Sequence, residues 1–166
     1  MAKKAREQVA ALPVSLGGAG RPHVMLLTSR GTGRWVIPKG WPIPGLTPRD
    51  AAAREAYEEA GLVGTVVHEQ PIGAYRYDKR LASGRTVTCR VAVYLFRVDR
   101  QLGVWPEKAQ RRTRWFAPAE AAALVAEAEL AALLLGVGAR DDAVSAAWTP
   151  AARASGAEPP VHTHGV

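Results

Sequence analysis

GWPIPGLTPRDAAAREAYEEAG, residues Gly40 to Gly61, decides how this chain folds. Its first part cannot continue any regular element, because Pro42, Pro44 and Gly45 interrupt helix and strand alike. The segment from Lys39 to Leu46 is therefore expected to be irregular. A helix then begins. Thr47 is a good N-cap, Pro48 suits the first helical position, and Asp50 stands where a capping acid reaches back. Gly61 closes the helix as a C-cap glycine.

At about 100° per residue, Glu55, Glu58 and Glu59 fall within an arc of roughly 100°, with Arg54 beside Glu58. On the other side Ala53, Ala56, Tyr57 and Ala60 form a stripe expected to pack on a sheet. Ala51 and Ala52 share the acidic side but are too small to cover it, which leaves bare carboxylates there. Glu55 and Glu59 stand one turn apart, a like-charge pair that costs a few tenths of a kcal/mol. Arg54 relieves only part of that repulsion, whereas a divalent cation would relieve all of it. Mg²⁺ is held by a few carboxylates, waters and substrate phosphate oxygens, and a remaining carboxylate can take a proton from water. The plain alternative is a solvated acidic helix face.

Outward from this helix the chain reads mostly as strands. EQVAALPVSL, HVMLLTSR and WVIP precede it as extended runs, separated by the turns GGAGRP and GTGR. After it come LVGTVVHEQPIGAYRYDK and RTVTCRVAVYLFRV, joined by the hairpin tip RLASG. WPEKAQR is read as a loop, RTRWFA as a short strand, and PAEAAALVAEAELAALLLG as one or two helices opening at Pro118. No internal repeat is found. Strands before, between and after helices predict an α/β (α+β) domain with a mixed sheet covered by helices. Residues 1–135 form that domain; from Gly136 the composition shifts to Ala, Gly, Pro and Ser, which reads as a loosely held tail, 136–166.

The 166 residues suffice for one domain with a proper core. A formal charge of +7 calls for anions: nucleic acid, an acidic membrane surface or a polyphosphorylated small molecule. No apolar run is long enough to span a membrane, and Glu7, Gln8 and Pro13 interrupt any signal-peptide core. The single cysteine, Cys89, excludes an internal disulfide and reads as a packing residue. A cytoplasmic protein without a membrane partner is expected.

The stretch resembles the signature of the Nudix hydrolases, G-x5-E-x7-R-E-U-x-E-E-x-G-U with U a bulky apolar residue. Gly40, Arg54, Glu55, Glu58, Glu59, Gly61 and Leu62 match it; Leu46 replaces the first glutamate and Ala56 the bulky apolar residue. The order of predicted elements follows the Nudix order over about residues 6–135. The resemblance implies a Nudix-type α/β/α sandwich and a Mg²⁺-dependent hydrolase of phosphoanhydrides, with Mn²⁺ as a substitute metal. SRGTGRWVIPKGWP and WPEKAQRRTRWF are similar to the diphosphoinositol polyphosphate phosphohydrolase branch, which also cleaves diadenosine polyphosphates. By that resemblance Glu55 and Glu59 hold the metal with the carbonyl of Gly40. Glu58 is the proton acceptor, counted also among the metal's carboxylates, and Arg54 completes the catalytic set.

A polyphosphate needs cations that are not already neutralised. Ser29, Arg30, Arg34, Lys39 and Arg111 are the expected substrate-binding residues. Arg76, Lys79, Arg80 and Arg85 around the hairpin tip, with Arg112 and Arg114, extend the positive surface. Glu107 reads as a loop acid, a role as a further site carboxylate being the less favoured alternative. Trp41, Trp105 and Trp115 read as packing residues, and His162 and His164 as tail residues that bind nothing. Beside a small polyphosphorylated substrate stand two other readings: hydrolysis of an RNA 5′ end, and a non-catalytic nucleotide sensor.

Overall fold

The computed structural model describes residues 4–17 and 20–139. Strands β1 (Arg6–Leu16), β2 (Pro22–Thr28), β3 (Trp35–Val36) and β4 (Lys39–Gly40) precede helix α1 (Pro48–Ala60). β5 (Leu62–Val66), β6 (Gly73–Arg80) and β7 (Thr86–Gln101) follow, then β8 (Thr113–Phe116), α2 (Pro118–Leu124) and α3 (Ala128–Ala139). All the strands join one eight-stranded mixed sheet whose main path is β3-β2-β1-β7-β5.

The two longest strands, β1 and β7, run parallel down its middle, from Arg6 opposite Cys89 to Val14 opposite Arg97. Each is long enough to serve two partners on its outer edge. β1 takes Lys39 and Gly40 of β4 near its start and residues of β2 near its end. β7 takes β6 along its first half and β5 along its second. The expected single run LVGTVVHEQPIGAYRYDK is therefore two strands. The segment 67–72, with Pro71 in it, lets the chain step from one end of β7 to the other.

Both faces of the sheet are covered. Ala10, Leu12 and Val14 point into a core shared with Leu130, Leu134 and Val137 of α3, while Val9 and Ala11 point into a core shared with α1. That is why β1 is continuously buried from Gln8 to Leu16. Helices on both faces of a mixed sheet make the expected α/β/α sandwich.

Two sequence expectations need correction. The segment after Pro38 is not wholly irregular, because Lys39 and Gly40 pair with Ala10 and Val9 of β1. Helix α3 itself runs through Gly136 to Ala139, with Val137 buried. The tail beyond, including His162 and His164, lies outside the described residues.

The second concerns α1. Its buried residues are Ala51, Ala52, Ala56, Glu59 and Ala60, whereas Tyr57 is 40% exposed. The packing face is rotated by roughly 100° from the stripe read off the sequence. Small side chains let the helix axis approach the sheet, and the bulky Tyr57 is turned outward. Glu59 comes inside with the alanines because it finds partners there. The caps are as expected: the Thr47 hydroxyl accepts from the Asp50 N–H, and Gly61 adopts the left-handed conformation at φ 67°.

Candidate active site

The site starts where the middle of α1, at Glu55, faces β4. The Glu55 carboxylate lies against the Cα of Gly40, so closely that a Cβ at position 40 would collide with it. This gives the glycine a physical reason: any side chain would displace the acid. Burial raises the Glu55 pKa to about 7, and the neighbouring charges of Glu59, Glu58 and Glu107 add to the effect. Among the described residues no cation forms an ion pair with Glu55.

Glu59 is held more firmly. Its carboxylate accepts from the Lys39 backbone N–H at 3.2 Å and from the Arg111 guanidinium at 3.2 Å. Arg111 also pairs with Glu107 at 3.0 Å and donates to the Thr28 carbonyl at 3.2 Å. Burial pushes the Glu59 pKa up to about 7, an effect that Arg111 and Lys39 offset only in part. Glu58 faces outward, half-exposed, with Arg54 at 4.0 Å.

These groups line one cavity of about 710 Å³, together with Ser29, Arg30, Lys39, Gly40 and Trp41. The expected site residues are thus brought together, with one exception. Arg34 lines a neighbouring cavity of about 520 Å³ instead, its Nε donating to Thr32 at 3.2 Å. Arg111 is at the inner wall, its guanidinium shared between Glu59, Glu107 and a carbonyl rather than open to a substrate. Arg30 binds Gln110 at 3.0 Å and approaches Glu107 at 3.6 Å. The Lys39 ammonium forms no ion pair among the described residues; it rests on the Tyr77 ring, 4.8 Å from the centroid. Burial lowers its pKa, and nearby Lys79 and Arg111 push the same way.

Beyond the expected set, four residues take part: Glu107 takes the role given above as the less favoured alternative, Trp105 packs as expected, and Tyr77 and Gln8 were not singled out. Glu107, read as a loop acid, enters the site because its N–H donates to the Glu58 carbonyl at 3.0 Å, tying the loop to α1. Trp105 fastens the same loop: its indole donates to the Glu59 carbonyl at 3.2 Å and its ring packs on Gly61. Tyr77 and Gln8 join through a hydroxyl hydrogen bond of 2.6 Å beneath Lys39. A Glu four residues before an Arg was a readable signal for Glu107 and Arg111; nothing local announced Gln8. Leu46, in the place of the signature's first glutamate, packs on the apolar core under α1. Of the outlying cations, Arg112 and Arg114 line neither cavity, and Arg114 rests on the Phe116 ring at 5.0 Å.

Whether these residues suit a divalent cation is a question of donors. Among the described residues no three His, Cys, Asp or Glu side chains form a ready-made cage. Mg²⁺ does not ask for one: it takes one or two carboxylates and leaves its other positions to water and phosphate. The hard oxygens of Glu55, crowded on Gly40 without a cation, match that demand. The donor set therefore fits.

The comparisons with known proteins follow the same lines. Nudix hydrolase 13 of Arabidopsis thaliana, named as mitochondrial, is 31% identical over 104 residues, 60% of this chain and 51% of that one. Diphosphoinositol polyphosphate phosphohydrolase 3-beta of Homo sapiens is 30% identical over 95 residues, 56% of this chain and 53% of that one. The chain thus spans about half the length of the curated relatives it matches. Among solved structures, a C. elegans Ap4A hydrolase binary complex superposes with a TM-score of 0.58 at 22% identity, covering 87% of this chain and 100% of the other. A NUDIX hydrolase from Nitrosomonas europaea gives 0.59 at 21% identity, covering 81% and 88%. Both likenesses speak for the fold. No described helix is long and apolar enough to cross a membrane, and the mitochondrial name of the plant relative does not carry the cytoplasmic expectation. The NUDIX domain model matches residues 6–135, most of the chain and all of the sheet, so the chain belongs to the Nudix family.

Proposed function

We propose that the chain is a divalent-metal-dependent pyrophosphohydrolase acting on a phosphoanhydride in a highly phosphorylated small molecule, of the diadenosine or diphosphoinositol polyphosphate type. The observation that carries this reading is one cavity lined by Glu55, Glu58 and Glu59 of α1 together with Gly40, Arg30 and Lys39. The partial match to a human diphosphoinositol polyphosphate phosphohydrolase supports the substrate class.

Glu55 and Glu59, with the Gly40 carbonyl, would hold the metal, Mg²⁺ or Mn²⁺. Bound there, it supplies charge to neutralise anhydride oxygens and to acidify a water. The chain's own residues do the rest. Glu58, half-exposed on the outer face of α1, accepts the proton of the water whose oxygen attacks phosphorus. As that P–O bond forms, the anhydride P–O bond breaks and the second phosphate departs with the electron pair. Lys39 and Arg30 face the departing charge, and Arg54 keeps the Glu58 carboxylate oriented. Arg111 holds Glu59 in place so that the acids keep their spacing.

The test is phosphate and nucleotide release from diadenosine tetraphosphate, a diphosphoinositol polyphosphate, a nucleoside triphosphate and 5′-triphosphate RNA, with and without Mg²⁺. Glu58→Gln and Glu59→Gln run alongside. Metal-dependent turnover that both substitutions abolish is expected. No turnover of any substrate, with tight ligand binding unchanged in both variants, would favour a sensor.

A further inference from the structure

The last turn of α1 carries Glu58 and Glu59 and no basic residue, although the negative end of a helix dipole favours cations. The final four carbonyls of a helix also find no partner within it. A turn so composed tends to fray, and fraying would displace these two acids first.

In this protein each of the four carbonyls has a donor. The Gly61 N–H serves Tyr57 at 2.9 Å and the Glu107 N–H serves Glu58 at 3.0 Å. The Trp105 indole serves Glu59 at 3.2 Å, and the Gln101 side-chain amide serves Ala60 at 3.0 Å. Only Gly61 is local; the other donors come from the end of β7 and the loop after it. The Leu102 N–H adds a bond of 2.8 Å to the Gly61 carbonyl, which keeps that loop alongside the helix end.

Trp105 is the centre of this cap. Its ring lies against Gly61, where a Cβ would collide with it, and the Lys108 ammonium stands 5.3 Å from the ring centroid. Glu59 is thereby held twice by one loop, at its carbonyl by Trp105 and at its carboxylate by Arg111, 3.2 Å away. Glu107, two residues beyond Trp105, holds the Glu58 carbonyl with its N–H and Arg111 with its carboxylate at 3.0 Å. Trp105 itself lines neither cavity, so any effect it has on the chemistry passes through the acids.

We propose that Trp105 is a positioning residue: its indole N–H keeps the last turn of α1 closed and so holds Glu58 and Glu59 at the spacing that hydrolysis needs. The inference rests on the hydrolase reading and adds to it a residue that touches no substrate.

Two measurements on the full chain test it, each comparing Trp105→Phe with Val137→Ala. The first variant keeps a ring on Gly61 and loses the donor. The second opens space in the core under α3, on the other face of the sheet from α1. In the metal-free protein, amide hydrogen exchange at Glu58, Glu59 and Ala60 should quicken by about tenfold in Trp105→Phe, beyond any change in the β1 amides. Val137→Ala should not single out those three amides. With Mg²⁺ and diadenosine tetraphosphate, Trp105→Phe should lower kcat and kcat/KM together by about tenfold, while Val137→Ala keeps kcat within about twofold. A last turn that exchanges no faster in Trp105→Phe, an unchanged kcat in that variant, or an equal loss of kcat in Val137→Ala overturns the inference. A wild type without turnover, beside a last turn opened by Trp105→Phe, would defeat the hydrolase reading alone.

Discussion

Gly40 and Gly61 show how much of this site depends on a missing Cβ. At Gly40 the space of a side chain is filled by the Glu55 carboxylate, so Gly40→Ala should push that acid away while the fold survives. Mg²⁺ affinity, read by calorimetry, is expected to fall about tenfold, roughly 1.4 kcal/mol. Unchanged affinity would show that the contact is incidental. Gly61 combines φ 67° with the Trp105 ring against its Cα. Gly61→Ala should cost about 1–2 kcal/mol for the left-handed backbone, plus the displacement of Trp105, in urea denaturation. Protonation of the acids gives a residue-scale test of a different kind. Glu55 and Glu59 keep their protons to about pH 7 in the fold, against an ordinary value of 4.5. Between those values the folded state binds more protons than the unfolded one, so stability falls as pH rises. Chelated protein should therefore melt at a lower temperature at pH 7.5 than at pH 5, and Glu55→Gln should flatten the slope. A melting temperature that rises over this range in the wild type would contradict the assignment.

Helix α1 is where the sequence was both most and least informative. Its boundaries were legible because Thr47, Pro48 and Gly61 act locally, through hydrogen bonds and backbone dihedrals within a few residues. Its packing face was not legible, because hydrophobicity pointed at Tyr57 while the sheet selected for smallness. The burial of Glu59 could not be read from the helix alone, since its partners are Lys39 and Arg111, far away in the chain. The corrected face makes a direct prediction. Tyr57→Ala should change stability by no more than about 0.5 kcal/mol, whereas Ala56→Leu, forced between helix and sheet, should cost about 1–3 kcal/mol. Thermal denaturation distinguishes them, and the opposite ranking would restore the stripe centred on Tyr57. The loop that carries Glu107 and Arg111 answers to the same logic. Arg111 and Glu59 expose only 9% and 8% of their side chains. Arg111→Met leaves a buried carboxylate unpaired and should cost about 3–5 kcal/mol near pH 8, less near pH 5 where Glu59 takes up a proton. Equal costs at both pH values would mean that Glu59 is not the group left exposed.

Over the whole molecule, two parallel strands of unusual length organise everything else. β1 and β7 each collect short partners along one edge, and this brings β4, the loop after β7 and α1 to one side of the sheet. The mixed sheet was legible from the alternation of strands and helices; the doubling of partners was not, because strand pairing is decided by contacts between distant segments. The same holds for the division of positive charge. The net +7 led to the expectation of an anionic ligand, yet only the fold separates Arg111, spent on acids, from Lys39, which lines the cavity without an ion pair among the described residues. The central claim is that the acids of α1, seated against Gly40, form a metal-dependent hydrolytic centre. The most direct measurement is kcat/KM for diadenosine tetraphosphate as a function of Mg²⁺, in the wild type and in Glu55→Gln. Turnover is expected to vanish on chelation and to fall by about 100-fold or more in the variant, with its fold intact. Turnover by Glu55→Gln equal to the wild type at saturating Mg²⁺ would contradict it.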